Sequence, residues 1–339
     1  MASIDELLNG AEVAIKDFFD SKFDLQFTDT KYVPSYEDGD LTFERGLVKK
    51  GKEIETCVLF IDIRNSVKLN KSHRNDTMAK LYAAFVKVAI YAAYHHNGAV
   101  RNIIGDRVMI VFQQDECFTN AVHCALSLNH MCNQLLNRYF KFSDFKCGIG
   151  IDHGRMRVIK AGTRKRGAEN SYTKNLIWVG DPANIASRLT DMANKEHVNK
   201  EMLCTVEERK INPLLASVLS ANKIPTSTES HINVRNLDAE LFAKYLVIGS
   251  NGELSLKNDI PFALLHKSFS SKLLKAEYRE TNVKVPPILM TEKVYNTFKL
   301  LNPQHNSLVN KWWHKQDLKI KDYSGLVIGG DVFWKTKKI

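Results

Sequence analysis

The chain has 339 residues, of which 44% are hydrophobic and 9% aromatic, so it has enough apolar content to bury a sizeable core. Lysine and arginine outnumber aspartate and glutamate by 48 to 38, and the resulting charge of +10 favours a polyanionic partner such as a nucleotide. The basic residues are spread along the chain, which argues against a nucleic-acid-binding arm. The sequence shows no apolar run of membrane-spanning length and no secretory signal, which predicts a cytoplasmic protein. Its six cysteines form no C-x-x-C pair, which predicts buried thiols in a reducing compartment.

The first half of the chain alternates strand and helix patterns. Residues 1–50 are predicted to form an amphipathic helix and a lead-in segment, and residues 51–339 a single domain. The elements predicted next are a buried strand Cys57–Ile61, a helix Thr77–His96, a hairpin of Ala99–Ile104 with Val108–Phe112, and a helix Asp115–Phe140.

The second half begins with the strands Phe145–Gly154 and Leu176–Val179, then a helix Ala183–Asn194 that starts after a proline. The pattern weakens over residues 195–280, where we expect a helical elaboration without assigned chemistry. Closing strands are expected over residues 287–334, around a helix that Thr291 caps. This order predicts an α+β fold of ferredoxin-like type, with a mixed, mainly antiparallel sheet, helices on one face and the other face free for a partner.

Two aspartates occupy the ends of predicted strands. Asp62 follows five uncharged residues of a buried strand, where an unpaired carboxylate is costly, and Asp106 lies at the hairpin turn. Antiparallel pairing would bring both carboxylates together, and their repulsion is relieved by a divalent cation, either Mg²⁺ or Mn²⁺. The alternative is that both are ordinary turn residues, which is common for Gly-Asp.

The residues that follow Asp62 form a candidate phosphate site. Ile63, Arg64, Asn65 and Ser66 present successive backbone N–H groups at a strand-to-helix turn, an arrangement that accepts phosphate oxygens. Any similar turn capped by Asn and Ser would look the same.

A second polar pair lies on the predicted helix after Gly180-Asp181-Pro182. Asn184 and Arg188 are four residues apart and therefore project from one face. Arginine can bind a phosphorus centre as charge develops, and asparagine can orient a sugar oxygen. A solvent-exposed pair would show the same spacing.

Four ordered motifs together resemble class III nucleotidyl cyclases. They are Phe60–Ser66, Ile104–Phe112, Gly148–Gly154 and Val179–Leu189, within core motifs spanning residues 56–194. The resemblance implies a ferredoxin-like cyclase fold and an enzyme that converts a nucleoside triphosphate to a cyclic nucleotide and pyrophosphate.

The resemblance also implies roles for individual residues. Asp62 and Asp106 would hold two metal ions with help from the Ile63 carbonyl, while Asn184 would orient the ribose and Arg188 would stabilise the α-phosphorus. Family members form head-to-tail homodimers in which one subunit supplies the acids and the other supplies the Asn and Arg. A lysine near the closing hairpin contacts the terminal phosphates in this family, and Lys319 and Lys321 are both candidates here. Two solvated strand lysines would give the same pattern.

The base-contacting positions depart from the purine cyclases. Adenylate cyclases that the chain resembles carry Lys and Asp at these positions and guanylate cyclases Glu and usually Cys, whereas this chain has Asn102 and Ile177. An amide at Asn102 could bind uracil or, flipped, cytosine. Strict alternation places Arg101 on the opposite face unless the strand bulges.

With the purine determinants missing, the chain resembles the pyrimidine cyclases of the bacterial Pycsar antiphage system. The resemblance implies that UTP is converted to cyclic UMP, a second messenger for a separate effector protein. A cytidylate cyclase, a purine cyclase with substituted base contacts and a cyclase-like nucleotide sensor without turnover remain as alternatives.

Overall fold

The computed structural model of the chain describes residues 3–19, 24–42, 48–141, 145–162, 164–165, 168–169, 174–209, 230–238, 246–248, 254–256 and 270–334. The chain divides into two compact units. The first unit joins Met1–Lys195 to Val285–Ile339, and the second comprises Glu196–Lys284. The prediction of a lead-in segment followed by one domain over residues 51–339 stays a prediction.

A mixed, mostly antiparallel sheet organises the first unit. Its strands are β1 Asp24–Asp29, β2 Val48–Ile63, β3 Gly98–Ile104, β4 Arg107–Phe112, β5 Cys147–Ala161, β8 Asn175–Val179, β14 Ile288–Thr291, β15 His314–Gln316 and β16 Val327–Gly330. A separate two-stranded ribbon pairs β6 Arg164–Lys165 with β7 Ala168–Glu169. The strands of the sheet follow the order β15-β16-β14-β5-β2-β4-β3, with β1 also paired to β2 and β8 to β5. Only the pairs β1–β2 and β14–β5 are parallel among the described strands.

The described helices are α1 Ile4–Phe19, α2 Ser66–Ser72, α3 Asn75–His95, α4 Cys117–His130, α5 Asn137–Tyr139, α6 Asp181–Met192, α7 Glu292–Leu301 and α8 Asn306–Val309. A π-helical stretch, Met131–Leu136, joins α4 to α5, so the predicted helix Asp115–Phe140 is nearly continuous. The predicted strands and helices up to residue 194 therefore occur close to their expected positions.

The sheet buries apolar side chains on both faces. On one face, Leu59 and Ile61 of β2 pack with α3, α4 and α7, as the prediction of helices on one face requires. On the opposite face, Val58 of β2 packs with Met109 and with Ala186 of α6. This second layer was not anticipated. It is possible because α6 lies directly over β5 where glycines leave no side chain: a Cβ added at Gly150 would lie 2.2 Å from the Ala186 carbonyl oxygen.

The second unit is built from strands in its described residues. β9 Glu196–Arg209 pairs on its two sides with β10 Ser230–Asp238 and β13 Ser270–Lys284, and β11 Leu246–Ile248 pairs with β12 Leu254–Leu256. The predicted helical elaboration over residues 195–280 is wrong for these segments. β9 and β13 carry mixed polar and apolar residues and pair across 60 or more positions of chain, which local periodicity does not reveal. Residues 211–221, which are part of the predicted helical elaboration, lie outside the described residues.

The sequence predicts that the chain has no membrane span and that its cysteines are buried thiols. No helix in the described part of the chain is both long and apolar enough to cross a membrane. Cys57, Cys117, Cys124, Cys132 and Cys147 are buried and free of disulfides, as expected for thiols that pack as small hydrophobic residues.

Candidate active site

The structure brings together the two aspartates that the sequence singled out. Asp62 is the second-last residue of β2, and Asp106 lies in the tight turn between β3 and β4, where Gly105 adopts a φ of +62°. Because β2 and β4 are antiparallel neighbours, the turn returns Asp106 to the end of β2. The two carboxyl groups are close enough to interact by hydrogen bonding and by charge.

Asp106 lies in an unfavourable environment for a carboxylate. Burial raises its pKa, the negative charge of Asp62 raises it further, and a hydrogen bond from Ser66 opposes both effects. Its Oδ2 atom is buried and has no hydrogen-bond partner. A buried oxygen without a donor carries an unmatched desolvation cost, so this atom is available to a ligand that supplies positive charge.

These residues fit a divalent cation. Among the residues that the structure describes, no three His, Cys, Asp or Glu side chains cluster as a complete metal cage. Mg²⁺ is commonly bound by only one or two carboxylates together with substrate phosphates and water, which is what two aspartates offer. The Ile63 side chain is 3% exposed and packs in the core, so only its backbone carbonyl could contribute.

The turn after Asp62 differs in part from the predicted phosphate cradle. The backbone N–H of Arg64 donates to the Lys146 carbonyl at 2.8 Å, so it is already used by the sheet. The Arg64 guanidinium instead donates to Asp62 Oδ2 at 3.0 Å. Asn65 adopts a left-handed φ of 57°, and Ser66 begins α2 and bonds Asp106. Arg64 and Ser66 therefore each donate a hydrogen bond to one of the two aspartates.

A cavity of about 730 Å³ opens beside this turn. Its lining includes Asp62 to Ser66 and adds three lysines that the sequence analysis did not identify: Lys68, Lys71 and Lys195. Lys68 and Lys71 project from α2, and Lys195 follows α6. The cavity therefore combines the carboxylates of Asp62 and Asp191 with several cations, the combination that a polyphosphate bound through a metal ion requires.

Asn184 and Arg188 lie on α6 as predicted, and neither lines this cavity. Asn184 is exposed. Arg188 Nη1 bonds Asp322 Oδ2 at 2.8 Å and also donates to the Lys321 carbonyl, so its described partners come from the segment before β16. The structure therefore does not bring this pair to the aspartates of the same chain.

β3 carries a bulge at Arg101, because Val100 is opposite Ile110 while Asn102 is opposite Met109. Paired residues share a face, and Phe60, two residues before Asp62, is also opposite Met109. The exposed Asn102 therefore lies on the same face as Asp62. Strict alternation does not hold for Arg101, whose Nε is buried without a hydrogen-bond partner and whose pKa is lowered by burial.

The other residues predicted to contact the substrate are exposed. Ile177 lies on β8 and is 47% exposed. Lys319 and Lys321 are exposed and precede the described strand β16; only a single bridge between Ile320 and Tyr323 replaces the expected hairpin strand there. None of these three residues lines the cavity beside Asp62.

Sequence reasoning missed Arg107, the residue after Asp106. Its Nη2 donates to Asp62 Oδ2 at 2.9 Å and to Asp191 Oδ1, and its Nη1 donates to Ser187 Oγ at 2.9 Å. Arg107 therefore links the end of β2 to α6. Its partners are 45 to 84 positions away in sequence, so no local motif could have revealed them.

Comparison with known proteins finds a family match over the part of the chain that holds the candidate site. The sequence model of the family described as the adenylate and guanylate cyclase catalytic domain matches residues 48–208. This range contains both aspartates, the bulged strand and α6.

Relatives include proteins named uridylate cyclase. One from Gulbenkiania mobilis is 34% identical over 181 residues, which cover 50% of this chain and 66% of that protein. Another, from Rhodovulum sp. (strain MB263), is 29% identical over 169 residues, covering 47% of this chain and 65% of that protein. The matches thus span just under two thirds of each relative.

A solved structure of the adenylyl cyclase CyaB from P. aeruginosa aligns with a TM-score of 0.44 and 13% identity, over 85% of this chain and 97% of that one. The family match and the curated relatives show that residues 48–208 contain a catalytic domain of the class III nucleotidyl cyclase family.

Proposed function

We propose that the protein is a uridylate cyclase that converts UTP to cyclic UMP and pyrophosphate. The family match supports a nucleotidyl cyclase, and the relatives named uridylate cyclase support the pyrimidine substrate. CTP is the alternative substrate. An adenylate cyclase and a nucleotide-binding homologue without turnover are the further alternatives.

One observation carries the proposal: the buried, unpartnered Oδ2 of Asp106 beside the carboxylate of Asp62. Two carboxylates that repel each other in a partly buried turn lower the stability of the fold. A divalent cation that binds both carboxylates would offset this repulsion. The neighbouring cavity with Lys68, Lys71 and Lys195 is suited to the triphosphate of the substrate.

In the proposed mechanism, Asp62, Asp106 and the Ile63 carbonyl would hold Mn²⁺ or Mg²⁺, two ions per site. Bound ions of this kind make a ribose 3′-hydroxyl more acidic and neutralise a departing pyrophosphate. The 3′-oxygen attacks the α-phosphorus in line, and the P–O bond to pyrophosphate breaks. The lysines of the cavity bind the β- and γ-phosphates through charge.

The proposal places Asn184 and Arg188 in the site of a second subunit. In this chain they lie away from the cavity beside Asp62, which agrees with a homodimer that has two shared sites. The Arg188 guanidinium would exchange its bonds to Asp322 and Lys321 for the oxygens of the α-phosphate as charge develops there. Asn184 would orient the ribose, and Lys319 or Lys321 would reach the terminal phosphates.

Asn102 is proposed to bind the base through its amide, on the face that it shares with Asp62. Arg101 supplies a second donor, because its buried Nε has no partner. Ile177 would close the pocket without offering the acidic group that an adenine amine requires. The cyclic nucleotide would act on a separate effector in antiphage defence, as in the bacterial systems that the chain resembles.

The test of the site is the variant Asp106→Asn, assayed with UTP and Mn²⁺ by mass spectrometry of the products. We expect at least a hundredfold loss of cyclic UMP formation, because one ligand of the ions is lost. The melting temperature should stay equal or rise, because the amide removes the repulsion from Asp62. Asp115→Asn, an exposed aspartate on the same unit, is the matched control and should keep full activity. Unchanged turnover in Asp106→Asn would refute the site.

A further inference from the structure

Arg107 places a positive charge on Asp62, one of the two carboxylates that would hold the proposed cation. Asp62 Oδ2 accepts one bond from Arg107 at 2.9 Å and one from Arg64 at 3.0 Å. A carboxylate oxygen has two lone-pair directions, so these two donors saturate it. The two aspartates are therefore unequal: Asp62 is neutralised by guanidinium groups, whereas Asp106 keeps a buried oxygen without a partner.

The two arginines differ in their other contacts. The Arg64 side chain is only 5% exposed, and its further bonds are long contacts of 3.4 Å to the carbonyls of Asp62 and Asp191. Arg107 is 27% exposed and has two strong partners on α6, Asp191 and Ser187. Arg107 can therefore release Asp62 and remain bound to α6, whereas Arg64 would lose the only carboxylate that it contacts among the described residues.

We propose that Arg107 is a positioning residue that competes with the divalent cation for Asp62 and transfers fully to Asp191 and Ser187 when the cation binds. The inference rests on the proposed metal site at Asp62 and Asp106. Without the cation, Arg107 neutralises Asp62 and limits its repulsion of Asp106. With the cation, the guanidinium is held by α6, so binding of the ion changes the anchoring of the helix that carries Asn184 and Arg188.

The proposal predicts opposite effects for the two ends of the Arg107–Asp191 pair. Removal of the guanidinium removes the competitor, so Arg107→Gln should bind Mn²⁺ about tenfold more tightly, the order expected when a unit charge next to a divalent ion is lost. Asp191→Asn leaves Arg107 with Asp62 as its only carboxylate partner among those observed, so this variant should bind Mn²⁺ more weakly. In the Arg107→Gln background, Asp191→Asn should have little further effect, because the residue through which it acts is gone.

The experiment is a Mn²⁺ titration of the full chain without nucleotide, followed by the electron paramagnetic resonance of free Mn²⁺. Arg155→Gln is the matched control: it also removes an arginine from a carboxylate, Glu53, and should leave the affinity unchanged. Arg107→Lys keeps the charge but lacks the planar guanidinium fork that spans the three acceptors, and a smaller gain of about threefold is expected. It provides the comparison if Arg107→Gln folds poorly.

The outcomes separate the inference from the proposed function. If Asp106→Asn binds Mn²⁺ as the wild type does, the metal site fails and the inference fails with it. If Asp106→Asn abolishes binding while the Arg107 variants bind no more tightly than the wild type, the metal site stands and the role of Arg107 is refuted. An equal loss of affinity from Asp191→Asn in both backgrounds would also refute it, because the effect of Asp191 would then be independent of Arg107.

Discussion

The contact between α6 and β5 is the point where the fold most directly controls the candidate site. Gly150 lies under α6, and a Cβ placed there would lie 2.2 Å from the Ala186 carbonyl oxygen and 2.5 Å from the Thr190 backbone nitrogen. Both are backbone atoms of α6, so no side chain can rotate away. Gly150→Ala therefore requires the helix itself to move outward, by roughly 1 Å.

The expected cost follows from this displacement. Overpacking of this kind destabilises by about 1–3 kcal/mol, which corresponds to a fall in melting temperature of several degrees, at roughly 2–4 °C per kcal/mol in a domain of this size. Misplacement of Arg188 and Asn184 by about 1 Å should reduce turnover by about a hundredfold. The two effects are measured by thermal unfolding and by cyclic UMP formation at saturating UTP.

Gly39→Ala is the control for the substitution itself, because a Cβ at Gly39 meets nothing within 4 Å. It should keep the stability and turnover of the wild type. A Gly150→Ala protein with unchanged melting temperature and rate would show that α6 does not rest on β5 as described. A protein that loses stability but keeps turnover would show that the position of α6 does not matter for the reaction.

Two further predictions concern Arg188 and the histidines around α4. Arg188→Ala should lower turnover by about a hundredfold or more. Its stability should change by less than about 1 kcal/mol, because the ion pair of Arg188 with Asp322 is partly exposed. Mixing the Arg188→Ala protein with the inactive Asp62→Ala protein should restore activity, and no recovery after subunit exchange would contradict shared sites. Burial lowers the pKa of His123 to about 4, with a smaller contribution from the charge of His305, whereas the unfolded chain titrates near 6.5. The unfolded state therefore binds more protons between these values, so the melting temperature should fall as pH drops from about 6.5 to 4, and His123→Phe should flatten that dependence.

The strands and helices around the aspartates could be predicted because their signals are local. Asp62 ends a buried apolar strand, and Asp106 lies in a Gly-Asp turn between two strands, so antiparallel pairing alone suffices to bring them together. The helix that carries Arg188 was likewise marked by Gly180-Asp181-Pro182.

The parts that escaped prediction depend on distant contacts. Arg107 binds residues of α6 far along the chain, and the bulge at Arg101 follows from the register of β3 against β4. In the second unit, strands occupy positions where the sequence predicts helices, because β9 and β13 pair across a long intervening segment and carry no strict alternation. Local patterns identified the acids, whereas long-range packing determines which cations accompany them.

The most direct test of the central claim is a competition among the four nucleoside triphosphates. The protein is incubated with equal concentrations of ATP, GTP, CTP and UTP and with Mn²⁺, and the cyclic products are identified by mass spectrometry. We expect cyclic UMP as the main product, formed by the wild type and absent with Asp106→Asn. Cyclic AMP or cyclic GMP as the main product would contradict the assignment of Asn102 to a pyrimidine base, and no cyclic product at all would contradict the proposed enzyme.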